Sequence, residues 1–281
     1  MATQNYASVF STKVDERFTR ESQAMMALNN DYKFTGVKTV NVYSVPTVKM
    51  NDYVRSGSNR YGTPEDLGTE VQSLTITKDR GWTFIIDKMD RNQQQMVLEA
   101  GKAAARQISE VIVPEFDKYV FNTLATAAYR NGNISRTAAT KSNAYSLFLD
   151  AQEALGNKNV PEKGRIAFCS YKFANLLKQD TAFMKYGNLS QEMINKGILG
   201  ECDGIKIVKV PASRLPDGTD FILTHPIAAT APKQLEEYKI HSDPPGVSGW
   251  LVEGRFVYDA FVLNNKADAV FYQGTADLGE G

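Results

Sequence analysis

The chain has 281 residues, with 32 Lys plus Arg set against 32 Asp plus Glu. That balance lacks the basic excess of a dedicated nucleic-acid binder, and a net charge of zero favours self-association over colloidal repulsion. Hydrophobic residues make up 42% and include 13 Tyr and 14 Phe, enough for one large domain or two smaller ones and too many for a disordered chain.

Residues 1–36 are polar, with scattered apolar positions such as Tyr6, Phe10, Val14 and Phe18. The stripe suits short amphipathic helices but is too thin for an independent unit. It predicts an arm that docks on this chain or on a neighbour. Met1–Phe10 has neither a basic n-region nor an apolar h-region, so no signal peptide is expected. No apolar run reaches about 18 residues, so no membrane span is expected either.

Val37–Val45 is β-branched and partly alternating, which predicts a strand. A polar, glycine-marked stretch over residues 51–68 follows, and strand character returns at Val71–Thr77. Lys78-Asp79-Arg80-Gly81 has turn composition, and Trp82–Ile86 is again extended, with Trp82, Phe84 and Ile86 on one face. Together, residues 37–86 predict a long β-hairpin with a loose polar tip. Such an element is marginal alone, and its open edges invite pairing. It rests either on a partner or on its own domain.

Asp90 with Gln93 fits a helix-capping pair. Met96, Val97, Ala100, Ala103, Ala104, Ile108, Val111 and Ile112 give a helical stripe, continued by Phe116, Tyr119, Val120 and Leu124. Pro114 should kink or restart this long helix. Asn131-Gly132-Asn133 is a turn, and Ala144–Leu155 is a second amphipathic helix closed by Gly156. A buried-type strand at Arg165–Cys169 precedes helix at Lys172–Lys178 and Thr181–Met184. Strands are expected at Gly204–Val210, Asp220–Thr224, Leu251–Glu253, Arg255–Leu263 and Ala267–Tyr272, with a stiff turn at Asp243-Pro244-Pro245-Gly246. The fold class is α+β.

Catalytic signatures are not found. His225 and His241 stand sixteen residues apart with no carboxylate or Cys at ligand spacing. Cys169 and Cys202 form no C-x-x-C pair and read as reduced thiols of a cytosolic product. There is no Gly-x-Ser-x-Gly elbow and no phosphate-cradling loop. No cofactor and no metal is expected, and the chain is not expected to be an enzyme. The remaining candidates are contact residues. Arg55, Arg60, Glu65 and Asp66 at the tip offer mixed charge to a neighbour's surface; the alternative is a plain loop. Lys78, Asp79 and Arg80, and the pairs Asp87-Lys88 and Asp90-Arg91, suit intersubunit ion pairs; the alternative is a solvated turn.

Several short segments carry a family likeness by their order and spacing: Met89-Asp90-Arg91-Asn92-Gln93, Ile112-Val113-Pro114-Glu115-Phe116-Asp117, Gly164-Arg165-Ile166-Ala167-Phe168, and Gly200-Glu201-Cys202-Asp203-Gly204 before Ile205-Lys206-Ile207-Val208 and the loop Ser213-Arg214-Leu215-Pro216. With these, residues 1–273 resemble the tailed-bacteriophage major capsid proteins of the Hong Kong 97 type. The resemblance implies an N-terminal arm at 1–36, an extended loop at 37–86, a peripheral domain with a spine helix at 87–138 and 246–281, and an axial domain at 139–245. It implies a structural protein that self-assembles as pentamers and hexamers into an icosahedral head around double-stranded DNA, made in the bacterial cytoplasm and resident in the virion. No coiled-coil prefix precedes the arm, so the expected partners are a separate scaffolding protein, a portal and decoration proteins, with non-specific DNA contact and no membrane. An encapsulin-like compartment around a cargo enzyme is the alternative with the same fold. A soluble α+β enzyme or binding protein is the alternative of another class.

Overall fold

A computed structural model describes residues 22–29, 31–32, 38–44, 47–64, 66, 68–87, 102–103, 105–180, 198–246, 248–276 and 278. The capping pair Asp90 and Gln93, the segment Met89–Gln93, the helix expected at Thr181–Met184, and Glu65 lie outside them.

The long helix follows the sequence pattern where it is described. Helical residues 102–103 and 105–107 lead into a π-helical turn at Ile108–Ile112, and α1 (Val113–Arg130) continues from it. Pro114 causes this arrangement. It lacks the N–H that would bond four residues back, and its ring crowds that carbonyl. The wider π turn removes the conflict, with the Val113 N–H reaching back to Ile108 O. The buried side of α1 is Val113, Phe116, Val120, Phe121, Leu124, Ala125 and Ala128, a stripe at three- and four-residue spacing.

That stripe covers a six-stranded sheet. Its strands are β4 (Ile134–Ser135), β5 (Ile166–Ser170), β6 (Ile198–Cys202), β7 (Ile205–Val210), β8 (Thr219–Thr224) and β13 (Val270–Gly274), in the order β4-β13-β8-β5-β7-β6. β5–β7 and β13–β4 are parallel and the other pairs antiparallel. Every residue of β8 and β13 is buried, as central strands covered on both faces must be. The covers are α1 on one face, and α2 (Ala144–Asn157) with α3 (Tyr171–Gln179) on the other. Cross-strand register separates the two faces: Phe168 stands opposite Ile222, whereas Phe221 stands opposite Cys169. Phe168 packs against Phe121 of α1 with ring centroids 5.0 Å apart, while Phe221 meets Phe148 of α2 at 5.9 Å and Phe173 of α3 at 4.8 Å. Asn159, at φ +57°, turns the chain after α2 in place of the expected Gly156.

A second sheet packs on the start of α1. It joins β3 (Lys78–Asp87), β10 (Lys233–Ser242) and β11 (Gly249–Tyr258) in the order β10-β11-β3. Phe116 lies edge-on to Phe256 and Tyr258 at 6.3 and 5.8 Å. Gly254 is needed here because a Cβ would fall 2.3 Å from the Trp82 ring that lies across it. A small sheet of β9 (Ala229–Thr230) and β12 (Phe261–Val262) links the two.

The remaining sheet is the hairpin, β1 (Thr39–Ser44) with β2 (Glu70–Thr75), in register from Thr39 opposite Thr75 to Ser44 opposite Glu70. Here the structure corrects three sequence-based expectations. Lys78–Gly81 is the start of β3 and not a turn, because it pairs residue for residue with Tyr258–Arg255. Trp82–Ile86 therefore leaves the hairpin for the second sheet. β10 was not expected, since its charged residues mask the alternation, and its partner β11 supplies the ladder.

Candidate assembly surface

The described residues contain no group of three His, Cys, Asp or Glu placed to hold a metal ion. His225 is used within the chain: Nδ1 accepts from the Ile227 N–H at 3.1 Å and Nε2 lies 3.1 Å from Lys163 O. His241 Nε2 lies 3.3 Å from Glu253. Cys169 and Cys202 are buried and unpaired, and burial pushes the Cys202 thiol up to about 11 and the Cys169 thiol further, which keeps both protonated and unreactive. No helix among the described residues is long and apolar enough to cross a membrane.

What the fold does present is an apolar surface on the hairpin. Tyr43 and Val71, cross-strand partners, are both exposed. At the tip Met50 is 99% exposed and Tyr61 83%, with Val48, Tyr53 and Val54 also exposed. The tip is nonetheless shaped. The Val54 N–H donates to Arg60 O and the Gly62 N–H to Asn59 O, both at 3.0 Å. Gly62 at φ +91° sits where a Cβ would strike the Asn51 side chain. Tyr53 and Tyr61 form a T-shaped pair at 5.0 Å.

The contact residues expected from sequence divide into two groups. Arg55 and Asp66 are exposed at the tip, and Arg60 is exposed with Nε donating to Gly57 O at 3.2 Å. Lys78, Asp79 and Arg80 are engaged inside the chain. Arg255 forks onto Asp79 at 2.8 and 2.5 Å and holds its carboxyl below the usual range. Arg80 pairs with Glu115 at 3.2 Å, and Lys78 lies 5.3 Å over the Tyr119 ring.

Two buried aspartates, neither singled out from sequence, attach the peripheral segments to the body. Asp117 on α1 is fully buried and accepts from Ser22 Oγ (2.5 Å), the N–H groups of Gln23 (3.1 Å) and Ala24 (3.2 Å), and Arg214 (2.8 Å). It latches the short 3₁₀ turn Ala24–Ala27, whose alanines are buried against the core. Burial pushes the Asp117 carboxyl above its ordinary value, and these donors oppose the rise. Asp259 accepts from the Thr77 N–H and hydroxyl, the Tyr119 hydroxyl and the Ala260 N–H, each at 2.8 Å. Burial and the Asp259 carboxylate together push the Tyr119 phenol well above its ordinary value, so it stays a donor. A sequence signal for Asp259 did exist: it is the one acid in the apolar run Phe256–Leu263, and a buried acid needs donors.

A model of the family described as phage capsid protein matches residues 69–272. The chain belongs to the phage capsid protein family. Solved structures with the same fold include one from Mycobacterium phage Che8, at 20% identity over 89% of each chain with a TM-score of 0.68. The capsid structure of the cyanophage P-SCSP1u matches at 15% identity over 85% of this chain and 84% of that one, TM-score 0.61. A virus-like particle from Pyrococcus furiosus matches at 10% identity over 96% of this chain and all of that one, TM-score 0.57. No curated protein sequence matches significantly. The fold is thus the Hong Kong 97 type expected from the sequence, and the chain is a phage major capsid protein. Its work is structural, its partner is its own kind in a shell, and its place is the capsid of the virion.

Proposed function

We propose that this chain is the repeating unit of a closed icosahedral head that packages double-stranded DNA. Copies associate as pentamers and hexamers, with no catalytic step, and the same patches recur around each ring. Individually weak contacts suffice because closure makes the whole cooperative. The observation that carries this reading is the exposed, ordered tip of the hairpin. Met50, Tyr53 and Tyr61, beside Arg55 and Arg60, supply the aromatic and arginine side chains that dominate protein interfaces. Arg55, Arg60, Glu65 and Asp66 are the rim charges, which set register and approach rate more than affinity. In this reading residues 1–36 and 37–86 are the arm and extended loop, 87–138 and 246–281 the peripheral domain, and 139–245 the axial domain. The chain is made in the bacterial cytoplasm and assembles with a separate scaffolding protein and portal, with decoration proteins outside and non-specific contact with DNA inside.

The test is negative-stain electron microscopy and light scattering of the purified chain, alone and co-expressed with a candidate scaffold. Closed particles or five- and six-membered rings are expected. A chain that stays monomeric at high concentration with the scaffold present overturns the reading. The fold likeness extends to a virus-like particle, so the contents of the particles decide the cargo: DNA for a phage head, a protein for a compartment.

A further inference from the structure

The hairpin leaves the body as a lever, and among the described residues its attachments are well defined. β1 is tied to β2 by its ladder and by two side-chain bridges, Thr39–Thr75 at 2.9 Å and Ser73–Asn41 at 2.8 Å, so the two strands move as one. Among the described residues, polar side chains hold β2 and the residues just after it to the body at two places. At the first, Asp259 receives both the N–H and the hydroxyl of Thr77 while also receiving the Tyr119 hydroxyl of α1. At the second, Gln72 spans a backbone segment: its amide donates to Val262 O at 3.0 Å and its carbonyl accepts from the Asn264 N–H at 2.9 Å. Five residues of extended chain separate these points, roughly 16 Å. Two fixed points on one strand define a line, and so a direction. One alone leaves a pivot.

A third contact is apolar: Val42 and Leu74 pack on Leu263, with Tyr32 and Phe261 against them. It resists separation but, being non-directional, does not select an angle. There is also room to swing. A cleft of about 600 Å³ opens between the hairpin base and α1, lined by Gln72, Tyr119, Thr123, Arg130, Phe261 and Asn264. Gln72 stands at its edge, with its amide bonded across to the 262–264 backbone.

We infer that Gln72 and Asp259 are positioning residues that fix the direction in which the hairpin leaves the body, and through it the curvature of the shell. The inference rests on the shell reading above. Met50 and Tyr61 lie beyond the end of the β1–β2 ladder, so in that reading a change of angle at Gln72 becomes a larger displacement at the tip that meets a neighbour. Both links are short, well-directed bonds at a partly covered site, and backbone partners at 262 and 264 cannot follow Gln72 if it leaves.

The experiment compares the full chain with Gln72→Ala and Tyr119→Phe, assembled identically. Cryo-electron microscopy gives particle diameters, and hydrogen exchange on the unassembled subunit reports the β1–β2 amides. Gln72→Ala should keep the subunit melting temperature within about 3 °C of the parent, speed exchange in β1–β2 and leave α1 unchanged, and turn one diameter class into several or into irregular shells. Tyr119→Phe keeps the ring, removes one donor to Asp259, and should act in the same direction more weakly. Particles of Gln72→Ala with the parent's single diameter and yield overturn the inference, as does unchanged exchange in β1–β2. If the parent forms no closed particle, the shell reading fails; exchange still shows whether Gln72 anchors the hairpin.

Discussion

The six-stranded sheet and the hairpin are built from similar residues and end in opposite states. In the sheet, Phe168, Phe221 and Tyr272 lose nearly all contact with water, and β8 and β13 are buried along their whole length. In the hairpin, Tyr43, Met50, Tyr53 and Tyr61 keep half or more of theirs. Hydrophobic burial is the main favourable term in folding, so a chain that leaves these side chains outside has not completed its burial alone. The sheet region is finished as a monomer. In the proposed reading, the hairpin is finished by another copy.

The sharpest way to break that contrast is in the sheet. Phe168→Ala opens a cavity beneath Phe121 and should destabilise the subunit by about 3–5 kcal/mol in chemical denaturation. Asp117→Ala comes next. It strands the buried end of Arg214 and the N–H groups of Gln23 and Ala24, and should cost about 3 kcal/mol. Limited proteolysis should then cut near Ala24, which the parent protects. Gly254→Leu forces a side chain into the Trp82 ring and should cost about 1–3 kcal/mol, with a shift in tryptophan fluorescence.

Surface charge should matter less. Lys158 and Asn131 hold the Asp268 carboxyl below its ordinary value. A group with a depressed folded value gives stability above its unfolded value, about 3.9, and loses it as pH falls through the folded one. The pair is about half exposed, so a Lys158→Met variant should be less stable than the parent by at most about 1 kcal/mol above a pH of about 4, and the difference should vanish on acid titration as pH falls through the folded value.

How much of this was legible beforehand follows from how local each cause is. The stripe on α1, the break at Pro114 and the turn Asp243–Gly246 are properties of adjacent residues, and they stood in the sequence. β3 was misplaced because Lys78-Asp79-Arg80-Gly81 has turn composition, and only the distant strand Arg255–Tyr258 makes it a ladder. β10 was missed because its charged residues mask the alternation, although its partner β11 follows directly after a short turn. The charges were visible, but whether Asp79 faces a neighbour or Arg255 depends on a partner 176 residues away. The apolar tip was hidden by its surroundings: Met50, Tyr53 and Tyr61 lie among Asn, Ser, Gly and Arg, which read as a polar loop. Asp259 could have been suspected as an acid inside an apolar run, though not its donors; Asp117, between Phe116 and Lys118, carried no such signal.

The most direct test of the central claim is the assembly state of a Met50→Ala, Tyr61→Ala double variant beside the parent. Both side chains are exposed, so subunit stability should change by no more than about 0.5 kcal/mol. The account predicts folded subunits or rings that no longer close into shells under conditions where the parent does. Closed particles at the parent's yield would contradict it, because the hairpin tip would then be an ordinary loop.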